Sequence, residues 1–252
     1  MRAPVSSSQH SDTDSSSRAY YDEFAQGYEK RRGKNLPGGY HEMLDVLESE
    51  YVERFGRGKA VLEVGCGTGL VLERIKAFAA TAKGIDLSPG MLEKARQRGL
   101  DVCEGSATKL PFADNSFDVT CSFKVLAHIP DIEGALSEMA RVTRPGGVVL
   151  AELYNPNSMR GLLRALGPAR KIGASKNESD VYTRFDTPKR AKELTPRGCE
   201  FAGARGVRII TPAARVVDTP VIGPLLFRAE RMLADSPLSA FAGFYVARYN
   251  KI

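Results

Sequence analysis

The chain has no tryptophan, three histidines and four cysteines in 252 residues. The cysteines (Cys66, Cys103, Cys121, Cys199) show no CxxC spacing, which argues against a zinc ribbon or a disulfide framework and makes a reducing cytoplasm the expected compartment. Long apolar runs are also missing. Uncharged stretches such as Gly146 to Ala151 fall far short of the roughly 20 residues that cross a bilayer, and no apolar segment follows the N-terminus, so neither a membrane span nor export is expected. No internal repeat is present. What remains is enough chain for one large α/β domain.

Charge is unevenly spread. Residues 1–154 hold 19 Lys and Arg against 22 Asp and Glu, a net of −3, whereas residues 155–252 hold 17 against 8, a net of +9. Such a basic stretch suits an anionic substrate, an acidic partner or a nucleic acid, or it simply solvates a surface. Residues 5–17 carry seven serines in thirteen positions and no aliphatic residue after Val5. They cannot bury enough surface to offset their ordering entropy, and 1–17 reads as a disordered tail.

From Arg18 onward Tyr20, Tyr21, Phe24, Ala25 and Tyr28 recur at helical spacing, and Met43 to Val52 mark a second amphipathic helix closing at Gly56 to Gly58. Then strand and helix alternate. Strands are expected at Ala60–Val64, Ala82–Leu87, Leu100–Glu104, Phe117–Phe123 and Val148–Tyr154, with helices at Gly69–Phe78, after Ser88-Pro89, and at Ile132–Thr143, stopped by Pro145-Gly146-Gly147. This rhythm calls for a parallel sheet with right-handed crossovers. Beyond Pro156 it loosens. A short helix is expected around Met159 to Leu166, another from Thr187-Pro188 to about Leu194, and a third at Ile222–Leu233 between strands Val207–Thr211 and Phe244–Tyr249. Those last two strands, joined without a full crossover unit, suggest an antiparallel edge hairpin.

The segment Val61-Leu62-Glu63-Val64-Gly65-Cys66-Gly67-Thr68-Gly69 runs a strand directly into alternating glycines and then a helix. Glycine is needed where the chain turns sharply and its backbone must approach a ligand closely. The spacing is G-x-G-x-G. A dinucleotide fingerprint would need glycine at Leu70, so NAD and FAD are disfavoured, and no Lys-Ser or Lys-Thr pair follows to make a phosphate loop. Asp86 closes the second strand, where an acid can take both hydroxyls of a ribose.

At these residues the chain resembles the class I S-adenosylmethionine-dependent methyltransferase family, in its small-molecule branch (methyltransferase type 11, UbiE-like). Leu62 to Gly69 is similar to the first family motif and Gly84-Ile85-Asp86-Leu87-Ser88 to the second. Leu110-Pro111-Phe112 through Phe117-Asp118 resembles the strand-four motif, and Arg141 to Gly147 the block leading into strand five. The likeness spans roughly residues 18–155. It implies a Rossmann-like seven-stranded sheet ordered 3-2-1-4-5-7-6, strand seven antiparallel, with helices on both faces. Within a single domain, 18–252, it implies an N-terminal helical lid (18–58), a cofactor-binding core (59–155), a substrate-recognition insertion (156–198) and a C-terminal sheet edge (199–252).

The resemblance also implies contacts. Glu63, Gly65, Cys66, Gly67 and Gly69 would surround the methionine portion of S-adenosylmethionine. Asp86 would hold the ribose, Leu87 and Met91 would flank the adenine, and Ser106 and Ala107 would meet its edge. Phe123 would lie beside the methyl group. Tyr20 and Tyr28 resemble the lid tyrosines of amine and sugar methyltransferases, and equally an aromatic helix face packed on the domain.

The methyl of this cofactor is already activated, so the protein's task is to align the acceptor and exclude water. An oxygen or protonated nitrogen acceptor benefits from a base. His10 lies in the serine-rich tail, which leaves His41 and His128 as candidates, each with a structural alternative: a solvated helix N-terminus for His41, backbone bonding for His128. Tyr154 and Asn155 end strand five, at the sheet edge where acceptors bind. The run Ser122-Phe123-Lys124-Val125 lacks the Asn/Asp-Pro-Pro-aromatic motif of nucleobase amino methylation, and no carboxylate cluster for a divalent metal is assembled. In residues 158–192, Arg160, Arg164, Arg170, Lys171, Lys176, Arg184, Lys189, Arg190 and Lys192 interleave with Leu162, Leu163, Leu166 and Ile172, which suits an anionic or amphiphilic small molecule or a solvated face.

The expected activity is therefore methyl transfer from S-adenosylmethionine to oxygen or nitrogen of a small acceptor, leaving S-adenosylhomocysteine. Nucleic acid is disfavoured as a partner, and the oligomeric state is left open. Two alternatives stand beside it: an RNA- or protein-directed methyltransferase docking through the basic C-terminal region, and an inactive cofactor-binding subunit.

Overall fold

The computed structural model describes residues 39–158 and 182–252. The serine-rich tail, the helix bearing Tyr20 and Tyr28, and the helix expected around Met159 to Leu166 lie outside these residues.

Seven strands form one sheet ordered β3-β2-β1-β4-β5-β7-β6: β1 (Ala60–Val64), β2 (Thr81–Asp86), β3 (Asp101–Glu104), β4 (Phe117–Ser122), β5 (Thr143–Tyr154), β6 (Cys199–Val207) and β7 (Phe244–Lys251). The first five are parallel. β7 inserts antiparallel between β5 and β6, which gives the strand order and the edge hairpin expected above. Helices α1 (Tyr40–Gly56), α2 (Leu70–Lys76), α3 (Pro89–Gln97), α4 (Ile132–Val142), α5 (Pro188–Glu193), α6 (Ala214–Val217) and α7 (Ile222–Leu233) surround the sheet.

The helix starts follow local chemistry. Ser88 Oγ accepts from Met91 N at 3.1 Å with Pro89 in the first turn of α3, and Asp131 Oδ1 accepts from Gly134 N at 3.0 Å to open α4. Each satisfies an amide that has no partner inside its helix.

The period-two alternation of the strands divides the core into two faces. Leu62 and Val64 of β1 and Val149, Ala151 and Leu153 of β5 pack with Ile132, Leu136 and Met139 of α4. Val61, Val119, Cys121, Val148 and Leu150 pack on the other face with Met43, Leu44, Leu47 and Tyr51 of α1. The same alternation directs Glu63 and Glu152 to the α1 face.

Two strands differ from expectation by more than two residues. β5 begins at Thr143, because the chain passes Pro145-Gly146-Gly147 with a left-handed Gly146 (φ 78°) and a register shift opposite Phe117/Val119 and rejoins the same strand instead of turning out. A Cβ on Gly147 would meet Asp118 O at 2.6 Å, so glycine there allows close strand approach. The sixth strand is Cys199–Val207, not Val207–Thr211. Arg208 turns the chain at φ 64°, and Ile209, Ile210 and Thr211 direct their amides to the Glu230 carboxylate of α7 at 2.7, 2.9 and 2.7 Å. Among the described residues no helix is long and apolar enough to cross a membrane.

Candidate functional site

β1 ends in a turn whose three glycines all lie in the left-handed region: Gly65 at φ 76°, Gly67 at 53° and Gly69 at 84°. Gly65 N and Cys66 N both donate to Ile85 O, at 2.7 and 3.0 Å, pinning the turn to the end of β2. The Asp86 carboxylate completes the joint. Its Oδ2 accepts from Gly67 N at 2.8 Å and its Oδ1 from Ser88 N at 2.9 Å. A carboxylate has about four acceptor positions, so bracing the turn is compatible with accepting hydroxyls.

Around this joint lie the other expected cofactor contacts. Gly105 N donates to Asp86 O at 3.0 Å, which brings the loop carrying Ser106 and Ala107 beside Asp86. Ser106 Oγ hydrogen-bonds Thr108 Oγ1 at 3.0 Å. Leu87 is half-buried, and Met91 is buried yet belongs to none of the three apolar clusters. The Cys66 side chain is turned into the fold, where it packs with Leu72, Leu92, Ala95 and Leu100, and burial pushes its thiol far above the ordinary range. The Phe123 ring packs beneath α1 with Met43 and Leu47. Tyr20 and Tyr28 lie outside the described residues.

Two buried polar atoms on this segment, Thr68 Oγ1 and Glu63 Oε2, have no hydrogen-bond partner. Orphaned groups of this kind are rare in folded proteins and call for an explanation. With a backbone that only glycine adopts easily and a carboxylate at the end of the neighbouring strand, the turn fits a nucleoside carrying a polar amino-acid end. Thr68 and its orphan hydroxyl were not singled out from sequence.

A second group lies at the ends of β4 and β5. Arg184 N donates to Ala127 O and Asp186 N to Tyr154 O, each at 2.8 Å, so residues 182–187 cross these strand ends. His128 Nδ1 lies 3.0 Å from Tyr182 O. A carbonyl only accepts, so Nδ1 carries the proton and Nε2 the lone pair. Burial lowers the His128 pKa against the opposing effect of that bond, and the ring is neutral near pH 7. It meets Tyr154 edge-on at 5.7 Å, and Tyr154 meets Phe244 at 5.2 Å and Phe185 at 6.3 Å.

This aromatic wall unites two expected residues with Phe185 and Phe244, which sequence reading missed because chain segments far apart supply them. His41 sits elsewhere, in the first turn of α1, edge-on to Tyr40 at 5.1 Å. Asn155 is buried, and its amide is committed to the fold: Nδ2 donates to Ala240 O at 2.8 Å and Ala242 O at 3.0 Å, and Oδ1 accepts from Asn157 N at 3.0 Å. Of the basic insertion, Arg160, Arg164, Arg170, Lys171 and Lys176 lie outside the described residues. Arg184 pairs twice with Asp186 at 2.8 Å, Arg190 pairs with Glu133 and Glu193, and Lys192 lies over the Phe201 ring.

A third group was also missed. Lys124, at φ 60°, directs Nζ to Asp45 Oδ1 at 3.1 Å and Glu48 Oε2 at 2.8 Å on α1, while its backbone N donates to Glu152 Oε1 at 2.9 Å. Burial and the Glu48 charge raise the Glu63 carboxyl well above its ordinary range, and Lys124 only partly offsets them. Glu152 is raised by the same two causes against the same opposition. Glu48, Glu63 and Glu152 are each at most 3 % exposed. The signal was present in sequence: acids at apolar-face positions, Asp45 and Glu48 among Leu44 and Leu47, and Glu152 within an apolar strand.

Comparisons with known proteins agree with this geometry. The methyltransferase-domain family matches residues 62–151. The chain is 40 % identical over 136 residues to the demethylmenaquinone methyltransferase of Mycobacterium sp. (strain KMS), covering 50 % of this chain and 59 % of that protein. It therefore spans less than two thirds of that relative's length. It is 32 % identical over 160 residues to the protein of the same name from Corynebacterium urealyticum, covering 58 % of this chain and 70 % of that one. In fold it is similar to a solved Thermotoga maritima protein, described as an S-adenosylmethionine-dependent methyltransferase and possible histamine N-methyltransferase. The TM-score is 0.66 at 22 % identity, over 93 % of this chain and 99 % of that one.

Proposed function

The chain belongs to the S-adenosylmethionine-dependent methyltransferase family, in its methyltransferase type 11, UbiE-like branch, and from that premise we propose that it transfers a methyl group to an oxygen or nitrogen of a small amphiphilic or anionic acceptor. The carrying observation is the glycine turn braced by Asp86, with orphaned Thr68 Oγ1 on it and orphaned Glu63 Oε2 on the strand that leads into it. In this reading Gly65, Gly67 and Gly69 give backbone access, Asp86 holds the ribose hydroxyls, Leu87 and Met91 flank the base, and Ser106 and Ala107 meet its edge. Glu63 and Thr68 face the amino-acid end. S-adenosylmethionine supplies, when bound, a methyl group already activated by the sulfonium it leaves.

The chain's own task is orientation and exclusion of water, a contribution on the order of 7–11 kcal/mol for well-aligned reactants. Tyr154, Phe185 and Phe244, set at steep angles to one another, offer an aromatic lining for an apolar ring system. His128, neutral with Nδ1–H on Tyr182 O, keeps Nε2 as a proton acceptor on a ring that packs edge-on to Tyr154. The Mycobacterium relative is named for a small molecule, demethylmenaquinone, which supports a small-molecule acceptor. Of the described insertion charges, Arg184 and Arg190 are engaged in ion pairs with neighbouring acids.

Calorimetric titration with S-adenosylmethionine and S-adenosylhomocysteine tests the premise. Both should bind one per chain, and Asp86→Ala should weaken both by about 1–3 kcal/mol, the cost of losing hydrogen bonds to a charged acceptor. Unchanged affinity in that variant removes Asp86 from the role. A metabolite screen for a gain of one CH2 then identifies the acceptor.

A further inference from the structure

Large apolar side chains exposed to solvent are gathered in one part of the molecule. Of the ten among the described residues, seven lie between Ile210 and Phe241, in the segment that carries α6, α7 and the turn Pro237–Phe241. Val221, Ile222, Leu225 and Met232 are 53–74 % exposed, and Leu238 and Phe241 are exposed as well. Helical spacing sorts the residues of α7. Buried Gly223 and Glu230 and half-buried Leu226, Phe227 and Leu233 face inward, and Leu226 and Phe227 pack against the α1 core. Ile222, Leu225, Ala229 and Met232 recur at steps of three and four residues, so they form one apolar stripe along the outer flank.

Arg228 stands beside this stripe, three residues after Leu225, and Arg215 lies on α6, which packs against α7. Both are exposed, and neither engages an acid among the described residues. The acids of this segment are engaged already: Asp218 accepts from Tyr40 N, Asp235 pairs with Arg54, and buried Glu230 holds the amides of residues 209–211. Arg231 turns back to Glu50. The outward face thus combines apolar side chains with two positive charges. With 12 residues, α7 is too short to cross a bilayer, so a helix of this kind lies along a surface. The face also borders the proposed acceptor site. Asn155 Nδ2 donates to Ala240 O and Ala242 O at 2.8 and 3.0 Å, which ties the turn bearing Leu238 and Phe241 to the end of β5, beside Tyr154 and Phe244.

We propose that the outer face of α6, α7 and the turn Pro237–Phe241 is a docking surface for an anionic lipid bilayer. Ile222, Leu225 and Met232 enter the boundary between headgroups and acyl chains, and Arg215 and Arg228 meet the headgroup phosphates. A second copy of this chain fits less well, because a twofold interface sets one patch against itself and gathers two copies of both arginines. A fluid bilayer accommodates side chains that protrude singly, and its charge complements the arginines. Docking brings the end of β5 close to the lipid, from which an amphiphilic acceptor is drawn; that consequence rests on the function proposed above, whereas docking itself does not.

Cosedimentation of the full chain with vesicles, in the absence of cofactor and acceptor, tests the surface. The chain should pellet with mixed phosphatidylcholine and phosphatidylglycerol vesicles at low salt and leave them as salt is raised. Phosphatidylcholine alone should hold it at least about tenfold more weakly, and replacing Arg215→Gln and Arg228→Gln should erode that preference by about fivefold for each arginine. Leu225→Glu combined with Met232→Glu, at two exposed positions, should weaken binding to the mixed vesicles by at least about tenfold. No binding to either vesicle, equal binding to both, or binding untouched by the paired glutamates overturns the surface. So does a concentration-dependent dimer, dissolved by Leu225→Glu, in a chain that ignores vesicles, which gives the face to a second copy. Should a variant fail to fold, the comparison of the two vesicles with the unmodified chain still decides. The methyl-transfer reading stands or falls separately, with the titration of S-adenosylmethionine.

Discussion

At Gly65 and Gly67 the same left-handed backbone serves two different ends. A Cβ on Gly65 would overlap the Val125 side chain, whereas a Cβ on Gly67 would meet nothing within 4 Å among the described residues. Gly65→Ala should therefore lose the roughly 1–2 kcal/mol of backbone strain plus an overpacking cost of about 1–3 kcal/mol. Gly67→Ala should lose the strain alone, while its methyl projects where a ligand must approach. Denaturant unfolding and ligand titration together separate the two: Gly67→Ala should be the more stable variant and still show at least tenfold weaker cofactor binding. If it binds as tightly as the unmodified chain, the turn does not approach the ligand. These glycines and Asp86 were legible in sequence because a positive φ and a strand-end carboxylate are written in single residue types. Thr68 and the carboxyl cluster were not, because their meaning depends on burial and on partners contributed by distant segments.

The same division separates the elements. β1, β2 and β4 combine short apolar runs with turn residues, and they could be placed to within a residue or so. β6 could not: Cys199-Glu200-Phe201-Ala202-Gly203-Ala204-Arg205-Gly206 is small and glycine-rich, with little intrinsic strand preference. Pairing with β7 holds it in place, through a bulge between Phe201 and Ala204. Ile209 to Thr211 look more like strand and yet leave the sheet, because buried Glu230 of α7 accepts their three amides and Thr211 Oγ1, the last at 2.6 Å. One carboxylate thus ends β6 and docks α7. Glu230→Ala would orphan four donors in the interior, and the expected loss is about 3 kcal/mol or more, read as a drop in denaturant midpoint at unchanged slope. A loss below about 1 kcal/mol would mean that α7 is docked by its apolar contacts and not by this acid.

The buried acids give the whole molecule an uncommon dependence on pH. A carboxyl whose folded pKa is raised, as burial raises Glu63 and Glu152, releases its proton first in the unfolded chain. Its effect on stability is therefore most favourable below the ordinary carboxylate range and worsens as pH climbs toward the folded value. Asp118 and Glu138 act oppositely. The Ala60 N–H and Arg144 hold Asp118 low despite burial, and the Arg141 guanidinium holds Glu138 low, so their contribution is present at neutrality and lost as pH falls through their depressed values. His128, kept neutral by burial, costs stability only as pH drops below about 6.5, where the unfolded ring takes up its proton. Above that point, and below the ionisation of thiols near about 8.5, the raised carboxyls act alone. The thermal midpoint of the ligand-free chain should therefore fall between about pH 6.5 and 8 instead of staying level. Glu152→Gln keeps an oxygen to accept the Lys124 amide and carries no charge, so it should flatten this decline and raise the midpoint at pH 8 by a few degrees, where about 1 kcal/mol corresponds to roughly 2–4 °C in a chain of this size. A midpoint level across this window in the unmodified chain would mean that the buried carboxyls have already found compensation in the fold.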